Sequence, residues 1–284
     1  MKHLFYLCLL AFVINGCAKK VDAPLWLKVD KFQLNENPFA SDQGELTENI
    51  TDAWVNMDGE ILGVFSLPIK IPIIADEGEH SFVIIPGIKN NGISSTKSRY
   101  TLMEPYSVDL TLTKGDTASI APETQYYDDL TFWIEDFENI NNLKLEESNA
   151  SLASLGTTND PNIVEYGNYC GHIELTDDDS LFYAYSSAPL LLPTNGRVVY
   201  LEVDFRTSHD LSARFINSTN GVTSDDAIAT MRAQESPKWT KIYFNLNELL
   251  AVYNQADFYG IALRAIKNKV GPQDIYIDNI KVIY

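Results

Sequence analysis

From Leu25 onward the chain repeats one pattern: short runs of Val, Ile, Tyr, Phe and Thr, apolar at alternate positions, cut by Gly, Pro, Asn and Asp. A period of two places successive side chains on opposite faces of a pleated strand, so such a chain buries strand faces and builds sheets. YLEVDFRT sets Leu201, Val203 and Phe205 against Tyr200, Glu202, Asp204 and Arg206, and KIYFNL does the same with Ile242, Phe244 and Leu246. An antiparallel sandwich wants one apolar face inward and one polar face outward. The C-terminal QDIYIDNIKVIY, read with the same period, puts Tyr276, Asp278, Ile280, Val282 and Tyr284 on one buried face, a carboxylate among them. Only DDAIATMRAQ (225–234) and LNELLAVY (246–253) carry helix-like patterns, both short. The expectation is an all-β chain built of sandwiches.

The strand pattern is interrupted by APETQYYDD, and a boundary between Pro122 and Asp129 divides it. Residues 25–125 form a first β-sandwich domain and 126–284 a second, the two in tandem. In the first, Asp58-Gly59 between Trp54-Val55 and Ile61-Leu62 predicts a hairpin turn, and Glu77-Gly78 opens another strand. The pattern V-x-M-D-G-x-x-L-G…P…G-x-H-x-F-x-I-x-x-G, from Val55 to Gly87, resembles the PEGA module of bacterial envelope proteins. That resemblance implies a small non-catalytic, Ig-like spacer or interaction module. Lys89, Lys97 and Arg99 make the densest basic patch, a solvated loop or a contact surface for an acidic partner.

The N-terminus, MKHLFYLCLLAFVINGCAKK, has Lys2 and His3 before an apolar run from Leu4 to Ile14. That run is too short to span a bilayer and reads as the core of a signal peptide occupying 1–16. Ile14-Asn15-Gly16-Cys17 resembles the lipobox of bacterial lipoproteins, which implies cleavage before Cys17 and its lipidation, with 17–24 a linker. An ordinary secreted protein with a cysteine at this place is the alternative. Each buried acyl methylene contributes about 0.8 kcal/mol, so a multiply acylated terminus anchors stably. Loss of residues 1–16 leaves 20 basic against 39 acidic residues, a net charge near −19. A chain so acidic repels phosphate backbones, so nucleic acid is not an expected partner, and acyl chains rather than charge must hold the membrane. With Cys8 removed and Cys17 acylated, Cys170 remains alone, read as a small buried hydrophobe, and the mature chain has no internal disulfide.

From FWIEDFENI through EYGNYCGHIEL, YLEVDFRTS, PKWTKIYFNLNELL and FYGIALRAI to IYIDNIKVIY, residues 133–284 are similar to the galactose-binding-like jelly roll of many carbohydrate-binding modules. The resemblance implies a structural calcium joining the first and last strands, held by Glu138 of Phe137-Glu138 and Asp278 of Asp278-Asn279-Ile280, with Asp136 or Glu135 able to replace Glu138. Calcium takes six to eight oxygens at about 2.3–2.6 Å, a role suited to carboxylates. Hydrogen bonding to backbone N–H, Tyr or Lys would also compensate a buried Asp278, and solvent exposure would remove the need. The resemblance further implies sugar binding on aromatic faces, for which Tyr166, Tyr169, Tyr183, Tyr185 and Trp239 are candidates; sandwich cores use the same residue types.

No HExxH, CxxC pair or GxSxG is present, and His80, His172 and His209 are isolated in sequence, so no catalytic residues are assigned. Together these readings describe a non-catalytic, outer-membrane-anchored lipoprotein of the Bacteroidetes type whose second domain binds glycan or another extracellular polymer. The alternative is an accessory protein-docking subunit of an envelope secretion, gliding or nutrient-uptake complex.

Overall fold

A computed structural model describes residues 24–284. The signal peptide, the Cys17 lipidation site and most of the linker lie outside the described residues. The described residues are all-β with one short helix, Asn247–Val252, inside the predicted 246–253 segment. Among the described residues no helix is long and apolar enough to cross a membrane.

In the first half, Ile69–Ile73, Leu25–Val29 and Thr117–Ile120 form one sheet in that order. Glu60–Ser66, Asp52–Met57 and Gly78–Lys89 form the second, with Lys97–Arg99 and Tyr106–Leu112 both pairing on Gly78–Lys89. The predicted turn joins Met57 to Glu60: Asp58 and Gly59 have φ of 52° and 83°, which a tight two-residue turn requires. Leu27, Val29, Val55, Phe82 and Ile84 fill the space between the sheets. Two pairings here are parallel, Leu25–Val29 with Thr117–Ile120 and Gln33–Leu34 with Glu123–Thr124, so this sandwich is antiparallel only in its larger sheet.

The second half is antiparallel throughout. Its eight long strands, taken in chain order from Cys170–Leu175 to Gln273–Ile283, make sheets of order 1-8-3-6 and 2-7-4-5, the jelly-roll order. Leu201, Val203 and Phe205 face inward as their alternation predicts, opposite Phe215, Ile261 and Leu263.

Two expectations are corrected. Residues 225–234 lie mostly in a strand, Val222–Met231, paired along its length with Leu211–Thr219. Alanine's helix propensity is worth less here than closing the sheet, where edge pairing decides. The last strand changes phase midway. Asn279 has a φ of 44°, and residues 279 and 280 both lie opposite Val203, a bulge that turns Ile280 and Val282 inward beside Ile275 and Ile277. Tyr276, Asp278, Lys281 and Ile283 therefore occupy the outer face, and Asp278 does not share a face with Ile280.

That outer face does not meet water where it carries Glu202 and Asp204. The first sandwich covers it. Tyr100 and Tyr126 donate their hydroxyls to Glu202. Lys241 Nζ lies 3.1 Å from Glu202 and 3.3 Å from Asp204, and Thr47 Oγ1 donates to Asp204 at 2.5 Å. Lys281 Nζ donates to the Gln43 and Glu45 carbonyls at 2.6 and 2.5 Å. The Tyr100 ring meets Tyr200 and Tyr243 with centroids 4.9 Å apart in each pair. Burial lowers the affinity of Lys241 for its proton, but Asp204 and Glu202 more than offset this and hold its pKa above the usual lysine value. The two sandwiches are thus joined through a buried, charge-balanced layer.

Candidate functional site

The first sandwich covers the part of one jelly-roll sheet's outer face that carries Glu202 and Asp204, and it leaves the outer face of the other sheet uncovered. Its strands run in the order Leu145–Glu147, Leu181–Ser186, Phe258–Ile266, Leu211–Thr219, Val222–Met231. Alternation sends Phe182, Ala184, Leu211, Ala213, Phe215, Ile261 and Leu263 into the core. The side chains left outside form cross-strand rows: Tyr183 beside Arg264 and Ser212, then Tyr185 beside Ala262 and Arg214, then Gly260 beside Ile216 and Asp225.

The central strand thus contributes its smallest residues, Gly260 and Ala262, to these rows; Ala262 is fully covered by its surroundings, while Gly260 lies between Tyr185 on one flank and Ile216 on the other. The result is a trough with a volume of about 350 Å³, lined by Tyr183, Tyr185, Ile216, Phe258 and Gly260 among others. A Cβ at Gly260 would come within 2.8 Å of Ser186 Oγ, so glycine is what the floor accommodates. The Tyr183 hydroxyl donates to Asp225 at 3.1 Å. Asp225 stands two strands beyond Tyr183's neighbour, so that side chain must lie along the sheet rather than stand from it. Asp225 is itself held by Arg214, Nε to Oδ1 at 2.5 Å and Nη2 to the backbone carbonyl at 2.9 Å. Burial, then the Asp225 carboxylate, pushes the Tyr183 hydroxyl up to about 12, so it remains a donor at any physiological pH. The Tyr185 ring lies 6.4 Å from that of Tyr183, tilted by 59°.

The five aromatic candidates therefore divide. Tyr183 and Tyr185 come together in the trough. Tyr166, Tyr169 and Trp239 sit by the other sheet, around the 159–169 loop: Tyr169 packs on the core, and Trp239 Nε1 donates to the Ile163 carbonyl at 2.6 Å. Burial followed by Asp204 raises Tyr166 to about 12. The helix-like pattern of 225–234 hides Asp225, and nothing in the local pattern marks Arg214, Ile216 or Phe258 as neighbours of the tyrosines. The alternation that puts Tyr183 and Tyr185 on one face of LFYAYS, with Gly260 and Ala262 in the facing GIALR, is the signal that marks the trough.

Near the opposite sheet, Asp278 lies directly across from Asp204 in the ladder and is 1% exposed. Exposure, one of the three ways open to it, is excluded. One oxygen accepts from Asn279 N at 2.8 Å; the other, like both side-chain polar atoms of Asn279, has no partner. Burial, then Asp204, Asp136 and Glu138, raises the Asp278 carboxyl to about 8. Glu138 is turned toward a loop instead, accepting from Asn168 N at 2.6 Å, Asn168 Nδ2 at 2.9 Å and Tyr169 N at 3.0 Å. These bonds hold its pKa below the usual value although burial opposes them. The orphaned oxygens of Asp278 and Asn279 are of the type calcium uses, yet among the described residues no three His, Cys, Asp or Glu side chains converge on one point. Cys170 is buried, and burial followed by Asp278 pushes its thiol up to about 12, which makes it an inert hydrophobe. Of the basic patch, Lys97 pairs with buried Asp52 at 2.6 Å and Arg99 lies 5.8 Å from the Trp54 ring, both remaining at the surface.

No family model matches the chain, and no curated protein matches it. Among solved structures it is similar to a carbohydrate-binding module of the β-sandwich superfamily, at 13% identity over 80% of this chain and 83% of that one, TM-score 0.38. It is similar to the cleaved adhesin domain of Lys-gingipain from Porphyromonas gingivalis, at 16% identity over 54% and 97%, TM-score 0.36. A family 29 carbohydrate-binding module aligns at 11% identity over 54% and 88%, TM-score 0.36. By its own strands, this chain is an all-β protein of two sandwiches, the second a jelly roll.

Proposed function

We propose that the chain is a non-catalytic glycan-binding protein whose ligand lies in the trough over Gly260. The observation that carries this reading is the trough's composition. Tyr183, Tyr185 and Phe258 surround a floor at Gly260, on the sheet face that the first sandwich leaves uncovered, with an oriented Arg214–Asp225 pair at the side. Pyranose C–H faces stack on aromatic rings, and hydroxyls take up carboxylate and guanidinium groups. Titration calorimetry against an oligosaccharide array, followed by the best ligand with Tyr185→Ala, tests it. Loss of a central aromatic is expected to weaken binding ten- to a hundredfold, about 1.4–2.8 kcal/mol. Unchanged affinity would move the ligand elsewhere. A chain that ignores every glycan but retains an envelope protein on a column would favour the docking-subunit alternative.

Anchoring belongs to the same proposal. Ile14-Asn15-Gly16-Cys17 supports acylation of Cys17 and an outer-membrane location, with the fused sandwiches held off the bilayer. Intact-mass spectrometry of the membrane fraction is expected to show a terminus at Cys17 with added acyl mass, and Cys17→Ala to release the protein. An unmodified terminus would remove the anchor. Calcium at Asp278 also remains a proposal; the orphaned oxygens and the neighbouring acids support it.

A further inference from the structure

We infer that the trough's glycan is anionic, bearing carboxylate or sulfate on its rings, and that the Arg264 guanidinium reads that charge. The inference rests on the glycan reading above and names its ligand class. Arg264 is on the central strand, on the outer face, with Tyr183 and Ser212 as its cross-strand neighbours, so it lies in the depression next to the trough, beside the tyrosine that lines the trough. It is half-buried and its side chain makes no hydrogen bond or ion pair among the described residues.

The arginines around it are committed. Arg214 is bound to Asp225, and Arg232 Nη1 donates to Asp210 at 2.7 Å. All three line one depression of about 270 Å³ with His209, Ser212 and Thr230. Half of the chain's six arginines thus gather on one patch of a protein with net charge −18. Arg214, Arg232 and Arg264 against Asp210 and Asp225 leave one surplus positive charge, and it resides on Arg264. On the trough's other rim, Glu146 is exposed and opposite Tyr185. At physiological ionic strength fields decay over about 8 Å, so the acidic remainder of the surface does not cancel a guanidinium at contact. An arginine fork matches the two oxygens of a carboxylate or sulfate, which a neutral hydroxyl cannot reproduce.

The test is calorimetry on the intact two-sandwich chain with matched oligosaccharides: a uronate against its carboxyl-reduced counterpart, and a sulfated chain against its desulfated counterpart. At least one anionic member is expected to bind tenfold or more tightly than its neutral counterpart, and the tighter pair identifies the anion. Arg264→Gln is expected to bring that ratio to about one, with Arg264→Lys retaining part of it. Neutral chains binding as well as anionic ones would overturn the inference and leave the glycan reading standing. A ratio that survives in a folded Arg264→Gln variant would remove Arg264 from the recognition. Binding of neither class would overturn the glycan reading and the inference together.

Discussion

Lys241→Met is expected to lower the free energy of unfolding by roughly 3–5 kcal/mol, the cost of leaving buried carboxylates without their cation. Lys241 is 4% exposed and is the cation that touches both Glu202 and Asp204. Methionine preserves most of the stem, so packing changes little and the loss is mainly electrostatic. In a chain of this size 1 kcal/mol moves the melting temperature by about 2–4 °C, so a drop on the order of 10 °C should be read by calorimetry. A companion with Glu202→Gln and Asp204→Asn beside Lys241→Met removes the stranded charges and should recover much of the loss. The layer also couples the halves: Tyr100, Tyr126 and Thr47 come from the first sandwich, Glu202, Asp204 and Lys241 from the second. Wild type is therefore expected to melt in one transition and Lys241→Met in two. A change below 1 kcal/mol, or two transitions in wild type, would mean the sandwiches do not share this interface in solution.

Asp278→Asn is expected to stabilise the protein at pH 8 and to change little near pH 4. The folded chain holds the Asp278 proton to about pH 8, whereas the ordinary carboxyl value is 3.8. Stability from that proton is complete below the unfolded value and is lost as pH rises through the folded one. At 1.36 kcal/mol per unit the loss across this window is on the order of 5 kcal/mol. Asparagine carries no such titration, so the difference between variant and wild type isolates it from Glu48 and Glu135, which burial also raises. Lys281 acts in another window: burial and Lys241 lower it to about 8, so its contribution grows between there and 10.5. Calcium enters as a second arm. If the cation proposal holds, millimolar calcium at pH 8 should raise the melting temperature of wild type and leave Asp278→Asn unmoved. A rise in neither would assign Asp278 to a neutral, protonated acid. Parallel pH profiles for the two proteins would refute the buried-acid account altogether.

Much of the fold was legible locally. Leu201, Val203 and Phe205 announced a core face, Asp58-Gly59 announced its hairpin, and LNELLAVY the helix at Asn247–Val252. Local reading failed where one residue changed the phase. Asn279, in left-handed backbone, shifted the last strand by one, and no period-two rule carries through a bulge. It also failed at 225–234, where pairing with Leu211–Thr219 overrode propensity.

The site shows the same division. Alternation alone shows that Tyr183 and Tyr185 share a face, and equally that Glu202 and Asp204 share one. It does not show which face a second sandwich covers. That was settled by the docking of residues from Thr47, Tyr100 and Tyr126 onto a strand more than seventy positions away, which turned a polar surface into a buried layer and left the tyrosine trough as the open side. Strand character is a property of neighbours along the chain, and composition and periodicity record it. Exposure is a property of what arrives from elsewhere, and only the folded arrangement of both halves sets it.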